Sequence, residues 1–103
     1  RFFEINVTGA KTRKQAKEAA MKIANSNLVK TADYTDNPNW GRVAAAVGAC
    51  GFAGVSEKTM KITFSVKRNH ITINADLGIG PEVATVFSCD LTHGYINING
   101  KYN

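Results

Sequence analysis

The stretch from Phe2 to Asn25, FFEINVTGAKTRKQAKEAAMKIAN, changes its hydrophobic period half-way along. Phe3, Ile5 and Val7 alternate with Glu4, Asn6 and Thr8, the period of two that turns one side of a strand to a core and the other to water. Gly9 is expected to end that strand. Thr12 and Gln15 then stand in the Thr-x-x-Gln spacing of a capping box, where hydroxyl and amide satisfy backbone donors at a helix start. Ala16, Ala19, Ala20, Ile23 and Ala24 follow at helical spacing, with Lys14, Lys17, Glu18 and Lys22 largely opposite. A helix whose buried face is mostly alanine must lie close to whatever covers it.

Working outward, Asn25–Asn27 breaks the period, and LVKTADY, from Leu28 to Tyr34, reads as a short strand in which Leu28 and Val29 begin a buried stretch. Asp36 to Asn39 forms a turn. From Trp40 to Ala49 the chain is apolar on all sides except Arg42, the pattern of a helix buried inside a protein. Gly48, Gly51 and Gly54 unwind it. Met60, Ile62, Phe64 and Val66 alternate again, then a basic turn at 67–70 leads to Ile71, Ile73, Ala75 and Leu77, the dry side of a strand pairing antiparallel with the one before. The segment EVATVFSCDL, 82–91, is apolar on both faces in its middle, as in a strand with neighbours on each side. The tail either extends that strand or forms one helical turn. Together these elements predict one α+β domain over residues 1–103, two-layered, with helices packed on one face of a mixed sheet.

Composition agrees with a single folded unit: 103 residues, 44% hydrophobic and 20% charged, too apolar for a disordered tail. No apolar run approaches the roughly 20 residues a bilayer demands, and the N-terminal residues do not resemble a signal peptide. Cys50 and Cys89 lie far apart in unlike segments, so free thiols in a reducing compartment are expected. The net charge of +5 invites a nucleic-acid reading. However, six of the thirteen basic residues fall between Lys11 and Lys30, on the wet side of the first helix and its exit, which describes a solvated face.

Candidate chemistry concentrates at DNPNWGR, 36–42. Asn39 is a strong N-cap type, Gly41 leaves first-turn N–H groups uncovered, and Arg42 offers a bidentate partner, so this turn can seat a carboxylate or oxyanion. The plainer reading is that Asn39 caps, Trp40 plugs the edge of the core and Arg42 pairs with an acidic neighbour such as Asp36. Cys50, His70, Cys89 and His93 match no close-set metal spacing. On an extended strand Cys89 and His93 lie about 13 Å apart, too far to share a proton. Gly78-Ile79-Gly80 precedes Pro81, which cannot donate to a phosphate, and is a turn.

Three segments carry a resemblance: ANSNLVKTADYTDNPNWGRVAAAVGACG (24–51), ITINADLGIG (71–80) and VFSCDLTHGYININGKY (86–102). In this order they resemble the C-terminal part of the β chain in the ornithine acetyltransferase, or glutamate N-acetyltransferase, family of arginine biosynthesis. That resemblance implies a precursor that cleaves itself before a threonine, which then carries the acetyl group from N-acetylornithine, or from acetyl-CoA in bifunctional members, to glutamate. The nucleophile and oxyanion hole would lie outside this chain, leaving it without a catalytic residue or resident cofactor. Of the substrate contacts, the asparagine of the terminal motif falls on Asn99, an amide able to donate and accept toward an amino-acid head group. The partners implied are the α chain and the rest of the β chain in an αβ hetero-oligomer, in the cytoplasm or, in a eukaryote, the mitochondrial matrix, with no nucleic acid and no membrane. Three departures stand out. The family motif ends with a further Thr or Ser that also contacts substrate, and this sequence stops at Asn103, leaving that contact unassigned. The 67–70 connection is shorter than the family's, and Arg1 falls in what is normally mid-strand, so a fragment is expected. The competing reading is a small basic module for an anionic partner such as RNA.

Overall fold

The computed structural model describes residues 1–31, 34, 40–89 and 95–96, the last two as backbone. Along the chain lie β1 (Phe2–Ala10), α1 (Arg13–Ala24), α2 (Asn27–Lys30), α3 (Trp40–Gly48), β2 (Lys61–Lys67), β3 (His70–Asp76), β4 (Glu82–Cys89) and β5 (Tyr95–Ile96). The strands form one mixed sheet in the order β2-β3-β1-β4-β5, with β1 parallel to β3 and every other pair antiparallel. Helix α1 covers β1 and β4, and α3 packs on α1 and β2. This is the expected two-layer α+β arrangement, with helices on one face.

The first strand buries Phe3, Ile5 and Val7, as its alternation requires. It runs on past Gly9, which forms an irregularity between Val7 and Ala10 with φ +69°. A side chain there would meet the Gly78 nitrogen at 2.7 Å, so the residue that was expected to stop the strand instead lets β1 press on the end of β3. Helix α1 begins where the capping box places it. Thr12 Oγ1 accepts from the Gln15 amide at 3.0 Å, and Gln15 Oε1 accepts from the Lys11 amide at 3.2 Å, one residue earlier than the usual reciprocal bond. Its buried residues are Ala16, Ala19, Ala20, Ile23 and Ala24. Below them, Ile73, Ile5 and Val86 form one row across β3, β1 and β4.

Two local expectations are corrected. Residues 27–30 are helical, not a strand: Ser26 accepts from the Val29 amide at 3.2 Å, so the polar triplet that breaks α1 also caps α2. Val29 is buried, but Leu28 is 64% exposed. Lys30, read as part of a wet face, is buried. Helix α3 starts at Trp40 as expected but buries only Val43, Ala44 and Val47, while Trp40, Gly41, Ala45 and Gly48 are exposed. The turn expected at 36–39 lies outside the described residues. The hairpin at 67–70 is as tight as the sequence suggests: Lys67 pairs with His70, and Arg68 takes a φ of +56°. The tail extends the sheet at Tyr95–Ile96, which pairs with Val86 and Phe87.

The opposite sheet face carries no helix among the described residues, and its side chains organise one another. Thr63, Asn74, Asn6 and Thr85 are successive register partners across β2, β3, β1 and β4. Thr85 Oγ1 donates to Asn6 Oδ1 (2.8 Å), Asn6 Nδ2 to Asn74 Oδ1 (3.0 Å), and Asn74 Nδ2 to Thr63 Oγ1 (3.2 Å). Asn6 Nδ2 also reaches Glu4, whose other oxygen lies 3.3 Å from His70 Nε2. Such a row fixes register, because slipping a strand by one residue would turn its amide into the core.

Candidate functional site

Arg42 of the NWGR motif meets the rest of the chain at α2. A helix of four residues leaves its C-terminal carbonyls with no helical N–H ahead of them. Three in succession are taken by side chains: Arg42 Nη1 donates to Leu28 O at 2.8 Å, the Tyr34 hydroxyl to Val29 O at 2.6 Å, and Arg1 Nη2 to Lys30 O. Arg1 also lies over the rings of Phe3 and Tyr34, 5.6 and 5.9 Å from their centroids. Tyr34 in turn packs on Phe3 and Phe64. Burial pushes the Tyr34 phenol up to about 12, with the charges of Arg1 and Arg42 pulling weakly the other way.

Arg42 therefore works as a brace between α3 and α2. No carboxylate pairs with it among the described residues; Asn39, the cap of the expected anion seat, and Asp36, the acidic neighbour of the plainer reading, lie outside them. The brace has a chemical consequence, since it spends one guanidinium N–H on a backbone carbonyl and sets the start of α3 against α2. Sequence reasoning missed Tyr34 and Arg1 here. Nothing in their spacing announces a shared partner; only Ser26, a capping residue three before Val29, signals that α2 exists.

Asn99, the expected substrate contact, lies outside the described residues, as do 90–94 and the rest of 97–103. What is described of that motif is its base, where Cys89 ends β4 and Tyr95–Ile96 returns beside it. Ser88, next to Cys89, is buried with its hydroxyl toward Ala24 O at 3.4 Å, tying β4 to the end of α1.

No disulfide joins Cys50 and Cys89. Cys50 points at Ala46 O, and burial first, then Glu18, push its thiol up against the opposing pull of Lys22. A thiol held protonated is the reverse of an activated nucleophile. His70 is engaged by Glu4 and stacks edge-on against Phe2, while His93 lies outside the described residues. No three metal-ligating side chains gather among the described residues. Nor is any helix among the described residues long and apolar enough to cross a membrane.

Comparison with known proteins decides the kinship. The family model described as "ArgJ family" matches residues 1–68 and 57–103. The arginine biosynthesis bifunctional protein ArgJ of Chlorobaculum tepidum is 42% identical over an alignment of 122 residues that covers 99% of this chain. This chain belongs to the ArgJ family. A second relative, ArgJ 2 of a Nostoc species, is 40% identical over 124 residues covering all of the chain. The crystal structure of ArgJ from Bacillus halodurans superposes with a TM-score of 0.76 at 29% identity, covering 90% of this chain and 54% of that one. This is the arginine-biosynthesis family that the sequence motifs resemble. The chain spans 30 to 32% of the length of these two ArgJ relatives. The alignments also run longer than its 103 residues, so the relatives carry residues that it lacks. The two stretches matched by the ArgJ model overlap within 57–68, the segment leading into the tight β2–β3 hairpin.

Proposed function

We propose that this chain is the C-terminal, noncatalytic portion of an acetyltransferase that moves an acetyl group from N-acetylornithine, or from acetyl-CoA in a bifunctional enzyme, to glutamate. Transfer runs through an acyl-threonine whose nucleophile belongs to the remainder of the protein, and covalent relay splits one hard step into two easier ones. The observation that carries this reading is identity of 40 to 42% to bifunctional ArgJ proteins along essentially the whole chain. Cys50, half-buried and with its thiol pKa raised by burial, supplies no competing nucleophile.

In this reading Asn99 binds the amino-acid head group shared by ornithine and glutamate, and the chain assembles with the α chain and the rest of the β chain in the cytoplasm, or in the mitochondrial matrix of a eukaryote. The outward side of α3 supports such an assembly. Trp40, Gly41, Ala45 and Gly48 place small and apolar groups at the surface, where a second body can approach the helix backbone closely. Co-production with the remaining polypeptide should restore acetyl transfer from N-acetylornithine to glutamate, and Asn99→Ala should raise KM for both by about tenfold, the weight of one good hydrogen bond to a charged group. Acetyl transfer by the lone chain, or unchanged KM values in the variant, would sink the proposal.

A further inference from the structure

The polar face of the sheet divides into a row whose side chains satisfy one another and, beside it, two rows that leave donors unengaged. Ser65 and Thr72 are register partners, as are Lys67 and His70, and all four line one pocket of about 210 Å³ at the hairpin end of β2 and β3. In the neighbouring row every side chain from Thr63 to Thr85 is hydrogen-bonded to the next. In the pocket, the Ser65 and Thr72 hydroxyls and the Lys67 ammonium have no partner among the described residues. His70 forms a fixed wall, its Nε2 held by Glu4 at 3.3 Å and its ring braced by Phe2 at 5.1 Å between centroids.

We infer that this pocket binds a phosphate-type oxyanion, either as the free ion or as the phosphoryl group of a larger molecule. Two hydroxyls and an ammonium on adjacent cross-strand pairs line the same pocket, and a tetrahedral oxyanion presents several acceptors at once. The space accommodates such a group with room for water. Glu4, the register partner of Thr72 on β1, repels an anion from the edge of the pocket, so occupancy depends on Lys67 and on the hydroxyls being addressed together. The pocket exists because β2 and β3 are joined by a two-residue turn with Arg68 at positive φ. Ser65 and Lys67 fall where the two stretches matched by the ArgJ model overlap, and the site is separate from the acetyl-transfer reading.

The test is a titration of the full protein with inorganic phosphate, followed by amide chemical shifts at constant ionic strength. Saturable shifts confined to residues 65–72 are expected, with Lys67→Ala weakening binding by about tenfold, the loss of one charge-assisted hydrogen bond. Ser65→Ala with Thr72→Val should weaken it comparably while keeping the charge, and Lys14→Ala on α1 should leave it unchanged. A parallel titration with glycerol 2-phosphate separates the sources: tighter binding assigns a phosphoryl group on a larger molecule, weaker binding the free ion. Shifts spread equally over the α1 lysines, an unaltered affinity in both pocket variants, or no saturable response would overturn the site.

Discussion

Helices α1 and α3 are both built largely from small residues, yet only one finds all its cover within the described chain. In α1 the alanines fall on one side, charged residues on the other, and the sheet takes every apolar position: Ala16, Ala19, Ala20, Ile23 and Ala24 are all buried. In α3 the apolar residues run all round, the chain offers cover for one side, and Ala45 and Gly48 are left outside with Trp40 at 37% exposure. An amphipathic pattern specifies its own environment, whereas an all-round apolar pattern specifies a surface that something else must provide. The difference between these helices marks which surface the described chain covers by itself and which it leaves open.

The contrast breaks first at α1. Ala20→Leu puts a large side chain where the helix touches the sheet and should cost about 1–3 kcal/mol, read as a lower urea midpoint. An equal loss from Ala45→Leu in the chain by itself would erase the distinction. High pH sharpens it next, at the junction of α2 and α3. The unfolded chain releases the Tyr34 proton near 10 and the folded chain near 12, so between those values folding requires taking the proton back, and stability falls as pH rises through that window. Absorbance titration should show one tyrosine ionising late and with unfolding; three ordinary titrations would remove the buried phenol. Arg42→Ala should cost about 1 kcal/mol, the value of one hydrogen bond, and should speed hydrogen exchange at the Lys30 and Thr31 amides while α1 keeps its protection. Thr12→Ala should also cost about 1 kcal/mol through the lost cap, with the exchange pattern reversed. The smallest effect is Ala45→Leu itself. In this chain alone it should lie within about 0.5 kcal/mol of neutral, but in the full ArgJ-length protein the same change should impair assembly if the outward side is covered.

Legibility followed the same division. Where residues pattern themselves against a single core, the sequence was enough: β1, α1, β3 and the β2–β3 pairing all follow from period and caps. Residues 27–30 were misread because Leu28 and Val29 look alike to a periodicity argument, and the choice of helix falls to Ser26 and to three side chains donated from 1, 34 and 42. The depth of α3 was overread because composition reports what a helix requires in its finished setting. The row from Thr63 to Thr85 was invisible, since four polar residues separated by up to seventy-nine positions acquire meaning only through register. For the candidate site, Arg42 was singled out for its guanidinium, but its partner proved to be a carbonyl.

Strand order carries a consequence for biogenesis. The sheet's middle strand precedes the other four in the chain, and its hydrogen-bonding partners are residues 70–76 and 82–89. During synthesis β1 therefore lacks both of these strand partners until residues 70–89 have been made, and such long-range closures make for slow folding. Helix α1, which can coil up at once beside it, is the natural chaperone for that strand while it waits.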